Sequence, residues 1–259
     1  TNQNISKQAN TPNMVVTQDG IIYLYYTGGN IAGKEQAIAA AVSQNNGESW
    51  AYKNVTISGG TIVSPPGDPD VVIKKDGTFR LYFTAQVKGR NKPGIYYADS
   101  TDGLAFTYGG EALHKEDFMI MDSSTFFWKD TWYMFTLDGF EAAHIFASSK
   151  DGDIFTFLKK EKMGESEAIN YFLSNEIIGT DGILRAYGFD LSKNGEIRSA
   201  TSEDGVEWND EGITHLSLSK TTQTDDISWN DENYYLKDPA VAQLQDGSFL
   251  MVYVTRAKQ

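Results

Sequence analysis

The chain has 259 residues, 40% of them hydrophobic, with no cysteine and a formal net charge of −13. That balance supplies a sizeable core, removes disulfides, thiolate chemistry and Cys-based metal sites, and repels nucleic-acid backbones and anionic membranes. No stretch approaches the roughly 18 consecutive apolar residues that span a bilayer.

The opening "TNQNISKQAN" is polar and lacks a charged-then-apolar leader, so any export signal is absent or already removed. The expected location is secreted or periplasmic. The first apolar strand follows in "NMVVTQDG" (13–20), ends on an Asp-Gly turn and leads into the aromatic "IIYLYYTG". "KEQAIAAAVS" (34–43) is Ala-rich, but its place in the repeat predicts a third strand. A second turn type comes next in "SQNNGESW" (43–50). The same order returns as "DVVIKKDG" (70–77), "TFRLYFTA" and "DSTDGLAF" (99–106). The second turn type recurs in "SSKDGDIF" (148–155) and "ATSEDGVEW" (200–208), and the first strand in "AVAQLQDG" (240–247). Asp-Gly and Asn-Gly tolerate the positive φ of tight hairpins. The Trp or Phe three residues after each second-type glycine is placed to pack beneath its own turn.

Each unit is therefore a four-stranded meander. The lead-ins "NTPNMV" (10–15), "GDPDVV" (67–72), "MDSSTF" (121–126), "SEAINY" (166–171) and "KDPAVA" (237–242) mark five starts. One such sheet cannot bury both faces alone, and a repeat of this length is the signature of a propeller. The expected fold is all-β: a single domain over residues 1–259, a five-bladed β-propeller of four-stranded antiparallel blades. Its ring would be closed by N- and C-terminal strands. Only two strands of the last blade come from the C-terminus, with the stretch around Ile5 supplying another, so this blade should be short or irregular. The chain is expected to be a monomer.

In a propeller the first strand of each blade lines the central funnel. The residue leading into it reads Thr11, Asp68, Asp122, Glu167 and Asp238, four acids in five slots, with Glu165 competing for the fourth. Asp before Pro also caps a strand start, so a structural role can coexist with function. Clustered carboxylates repel, so some are held protonated while others stay ionised. Glycoside cleavage requires that split: one carboxyl protonates the leaving oxygen and an ionised partner activates water or attacks the sugar.

Five meanders with Asp-Pro lead-ins, aromatic second strands and S-x-D-G-x-x-aromatic turns resemble the five-bladed furanosidase-type propellers, glycoside hydrolase family 43 and its relatives. The turns themselves are similar to the Asp-box of sialidases and read as structural. The resemblance implies an Asp base on the first blade, a tuning Asp on the third and a Glu acid on the fourth. Asp122 and Glu167 match the last two, whereas the first slot holds Thr11. Asp68 is the expected substitute base. A phosphorolytic variant would need cations, and Lys34, Lys88, Arg90 and Lys92 are the loop candidates.

Rim loops "TLDGFEAAH" (136–144), "YGFDLSKNGE" (187–196) and "DISWNDENYYLKDP" (226–239) offer Phe140, Tyr187, Phe189, Trp229, Tyr234 and Tyr235 for sugar stacking. Such aromatics also fill gaps between blades. His144 stands near the mouth as a hydrogen-bonding candidate or a satisfied structural imidazole. Together with His114 and His215 it forms no spaced ligand set, so no zinc site is expected. No cofactor is expected, although acids and carbonyls on the axis are of the kind that hold calcium. The substrate or ligand is expected to be a carbohydrate. The competing readings are a carbohydrate-binding propeller that does not cut, which Thr11 favours, a sialidase, which too few arginines disfavour, and a protein-binding scaffold.

Overall fold

The computed structural model describes residues 9–28, 37–163, 169–190, 195–217 and 234–257, and all helix or strand among them is strand. The first sheet takes β1 (Asn10–Val16), β2 (Ile22–Gly28), β3 (Ala37–Ser43) and β4 (Ala51–Asn54) in chain order. After β5 (Thr56–Ser58), the second runs through β6 (Gly67–Ile73), β7 (Phe79–Ala85), β8 (Gly94–Ser100) and β9 (Ala105–Leu113). The third comprises β10 (Ile120–Trp128), β11 (Thr131–Asp138), β12 (Ala143–Ser149) and β13 (Thr156–Lys162). The fourth comprises β14 (Phe172–Ile178), β15 (Leu184–Asp190), β16 (Glu196–Ser202) and β17 (Asn209–Leu216). A two-stranded sheet of β18 (Tyr234–Gln243) and β19 (Phe249–Ala257) follows. All pairings are antiparallel except that of β5, which runs parallel to the outer strand β9, an addition no sequence signal announces. The Ala-rich segment is strand β3, as the repeat predicts.

The first strands β1, β6, β10, β14 and β18 stand side by side in a closed ring, with β18 against β1. This is a propeller of antiparallel meanders. The segment around Ile5, expected to help close it, lies outside the described residues.

The core sits between sheets. Tyr25, Ile38 and Ala40 pack on Val71, Phe83, Tyr96 and Phe106 of the second sheet, while Phe126, Phe135 and Phe146 pack on Tyr171, Leu184 and Trp208 of the fourth. Repeated turn chemistry locks these faces. The Oγ atoms of Ser43, Ser100, Ser149 and Ser202 accept the N–H of Gly47, Gly103, Gly152 and Gly205 at 2.8–3.0 Å. Tyr25 Oη and Tyr82 Oη each donate at 2.7 Å to the carbonyl of Gly103 and Gly152 on the next sheet's turn. Gly103 has φ +72°, and a Cβ there would lie 2.8 Å from Tyr25 Oη, so the turn requires glycine.

Near its start each first strand bulges against its neighbour. The register slips between Asn10 and Asn13, Gly67 and Asp70, Met121 and Ser124, and Lys237 and Ala240. Inside those bulges Thr11, Asp68, Asp122 and Asp238 take left-handed φ values of 45°, 50°, 53° and 48°. A bulge re-aims a side chain, and non-glycine residues hold such φ only where their surroundings enforce it. Here the threonines of "YYTG" and "YFTA" help: Thr27 Oγ1 accepts the Asp68 N–H at 2.8 Å, and Thr84 Oγ1 accepts the Asp122 N–H at 3.1 Å.

Candidate active site

The four strained residues meet. Thr11, Asp68, Asp122 and Asp238 line one cavity of about 50 Å³, together with Leu137, Phe172, Leu173 and Phe189. The cavity is thus acidic on one side and apolar on the other. Phe172 and Phe189 stack there at 5.1 Å.

Burial raises the Asp68 carboxyl, opposed by hydrogen bonds from the side chains of Thr84, Asp122 and Thr11. Burial, then the charges of Asp68 and Asp238, push Asp122 well above the carboxylate range. Each acid lies within reach of the other, and their mutual repulsion, added to burial, favours the protonated form of Asp122 most. Asp238 is anchored, accepting Lys237 Nζ at 2.6 Å and the Thr11 N–H at 3.3 Å. The Thr11 hydroxyl bonds Thr27 Oγ1 at 3.0 Å and also faces Asp68, so threonine supplies a hydrogen-bonding group to the neighbouring sheet's acid.

Other expected residues fall elsewhere. Glu165, Glu167, Trp229 and Lys34 lie outside the described residues, and only the backbone of Tyr234 and Tyr235 is described, in β18. The lead-in of the fourth sheet is displaced from "SEAINY". Its register shift falls between Leu173 and Asn175 and holds only Ser174, while Leu173 stays paired with Gly188 and takes no left-handed φ. His144 is buried, and of its two readings the satisfied structural imidazole is the one its contacts support. Its Nε2 accepts the Leu173 N–H at 3.2 Å, and burial, aided by the Lys159 charge, lowers the imidazole to about 4. Tyr187 packs against the His215 ring at 5.2 Å and does not line the cavity. Phe140 stands exposed on the β11–β12 connection.

Sequence reasoning missed the tier beneath. Asn13, Asp70, Ser124, Asn175 and Ala240, one from each first strand, are all buried and plug the axis. Asn13 Oδ1 accepts the Val71 N–H at 3.0 Å, and Asn175 Oδ1 accepts the Val241 N–H at 2.8 Å. Asp70 similarly bonds the Thr125 backbone. These staples tie each first strand to the next. The signal was a polar residue two places after each slot, in "TPN", "DPD", "DSS" and "LSN".

Below the plug, Glu176 lies deep in the protein yet lines a second cavity of about 340 Å³, and it accepts Ser124 Oγ at 2.5 Å. Burial raises Glu176 from 4.5 to about 7, while burial and the Glu176 charge raise Asp70. The folded state therefore binds more protons than the unfolded chain between these values, and stability falls as pH rises. The contribution of Glu176 is complete below about pH 4.5 and gone above about pH 7. Glu176→Gln is expected to flatten the decline in thermal midpoint between pH 5 and 8. An unchanged decline would assign it to other groups.

Among the described residues no group of three or more His, Cys, Asp or Glu is arranged to hold a metal ion, the axis expected to suit calcium included. Arg90 is engaged by Glu111 at 2.7 Å and Lys92 by the Phe140 ring at 5.0 Å.

No family model matches the sequence, and neither does any curated protein. Solved structures do match. A thermostable family-43 glycoside hydrolase superposes with a TM-score of 0.69 at 16% identity over 96% of this chain and 84% of that one. An endo-arabinase from Bacteroides thetaiotaomicron gives 0.66 at 17% identity over 97% and 94%. An endo-1,4-beta-xylanase from the same organism gives 0.65 at 16% over 98% and 86%. The fold is that of the glycoside hydrolase propellers of furanosidase type.

Proposed function

We propose that this protein is a glycosidase working on a poly- or oligosaccharide in the axial mouth, with Asp68 as base in place of the first-blade acid. The observation that carries this reading is the convergence of Asp68, Asp122 and Asp238 with Phe172 and Phe189 on one cavity, where burial and the neighbouring charges push Asp122 up. An acid and base flanking a glycosidic bond stand roughly 5–9.5 Å apart. Directly hydrogen-bonded carboxyls are too close for that, so Asp122 is the tuning residue and the proton donor comes from another element. Glu167 takes that role in this reading. Thr11, Asp238 and Phe189 contact the sugar, and β18–β19 counts as the fifth blade of the ring. The acting protein is a monomer outside the cytoplasm. Hydrolysis is favoured over phosphorolysis because the described cations near the mouth are engaged: Lys237 pairs with Asp238, Arg90 with Glu111, and Lys92 lies over the Phe140 ring.

The second reading is a propeller that binds glycans without cutting them. Thr11 in the first bulge and Ser174 in the fourth favour it, since neither is a carboxyl. Chromogenic arabinofuranosides, xylosides and mannosides, tested with wild type, Asp68→Asn and Glu167→Ala, separate the two. Release by wild type that both variants lose supports cleavage. Oligosaccharide binding with no release supports the binding module. Thr11→Val is expected to retain folding but slow release several-fold, because Asp68 loses a hydrogen-bond donor; an unchanged rate removes Thr11 from the site.

A further inference from the structure

The first strands lead away from the mouth, so their second strands return to it and the β11–β12 and β7–β8 connections stand on its rim. On the first of these Phe140 is 63% exposed. An exposed aromatic on a loop tip is ordinarily free to move, but the backbone that carries this one is pinned. Buried Asp138 accepts through one oxygen, Oδ1, the backbone N–H of Phe140 at 3.0 Å and of Met119 at 3.2 Å. Its other oxygen pairs with Lys160 at 3.0 Å, and Lys160 also holds Glu141 at 2.9 Å. These bonds keep the Asp138 carboxyl below its usual range although burial works against them. The Gly139 N–H donates to the Met119 carbonyl at 2.9 Å, and a Cβ on Gly139 would lie 2.9 Å from Met121 Sδ. Met121 precedes Asp122, and Leu137, on the same turn's approach, lines the carboxylate cavity. The turn is therefore seated directly beside the acid pair. From the second sheet, Lys92 places its ammonium 5.0 Å from the Phe140 ring centroid.

We propose that Phe140, braced by Lys92, is an outer platform on which a second sugar unit stacks when a first occupies the carboxylate cavity. The ligand is then an oligosaccharide of two or more units. This rests on the carbohydrate reading of the mouth. A sugar ring has an apolar C–H face that packs on an aromatic ring, and a fixed ring loses little freedom on binding.

The test measures binding of xylotetraose, arabinotetraose and mannotetraose, each beside its methyl monoglycoside, to wild type, Phe140→Ala and Phe140→Trp. For the tetrasaccharide that binds, Phe140→Ala is expected to raise Kd roughly five- to ten-fold, the worth of one aromatic contact. Phe140→Trp restores it, and the monoglycoside is unaffected by either change. Phe140→Ala binding the tetrasaccharide like wild type, or losing both ligands equally, overturns the platform and leaves the carbohydrate reading standing. Wild type that binds no saccharide ends both. Binding that depends on Phe140 in a protein that releases no product keeps the platform and ends only the cleavage reading.

Discussion

Asp68→Asn is expected to lower the rate of glycoside cleavage by roughly 10²–10⁴-fold, the usual worth of a general base. Affinity for oligosaccharide should change little, because asparagine keeps an oxygen to accept from Thr11 and Thr84. The loss therefore falls on kcat rather than KM. Asp122→Asn should act differently. In wild type, activity is expected to decline on the alkaline side as Asp122 ionises and sets a second negative charge beside Asp68. Asparagine cannot ionise, so that limb of the kcat/KM profile should vanish. A profile for Asp122→Asn identical to wild type would separate the two acids functionally.

The largest stability effect is expected from Trp208→Ala. Trp208 is 3% exposed and meets Phe126 and Phe135 edge-on at 6.1 and 6.0 Å, joining the third and fourth sheets beneath the Ser202–Gly205 turn. Truncation removes the transfer free energy of the indole and leaves a cavity between two rigid sheets, a cost of about 3–5 kcal/mol. Denaturant titration reads this directly. A loss below about 1 kcal/mol would mean that the sheets close over the gap, and that the aromatic after each turn is not what fastens neighbouring sheets.

Much of the architecture was legible because its signals are local. Asp-Gly turns, the aromatic after each second turn and the alternating strands each report on a few neighbouring residues. Thr11, Asp68, Asp122 and Asp238 could be placed together because Pro or Ser follows each in a shared phrase. The fourth sheet broke that phrase. Its first strand starts on Phe172 with no proline and a bulge of one residue, Ser174, while Glu165 and Glu167, the acids read for that slot, lie outside the described residues. His144 kept two readings open for a different reason. Strand position gave its height near the mouth but not its bond to the Leu173 N–H, which depends on how two sheets abut. Glu176 was invisible because burial deep in a channel, not sequence neighbourhood, raises its pKa. The strand β5 escaped notice because parallel addition at a sheet edge leaves no periodic trace.

The most direct measurement is the titration of the Asp68 and Asp122 carboxyl carbons by ¹³C NMR in the free protein, with Asp122→Asn as the control. Both resonances should report two linked steps, the upper one well above the usual aspartate value near 3.9, and the upper step should disappear in the variant. Two independent titrations near that ordinary value would show that neither acid favours the protonated form of the other, and the catalytic account of the mouth would not stand.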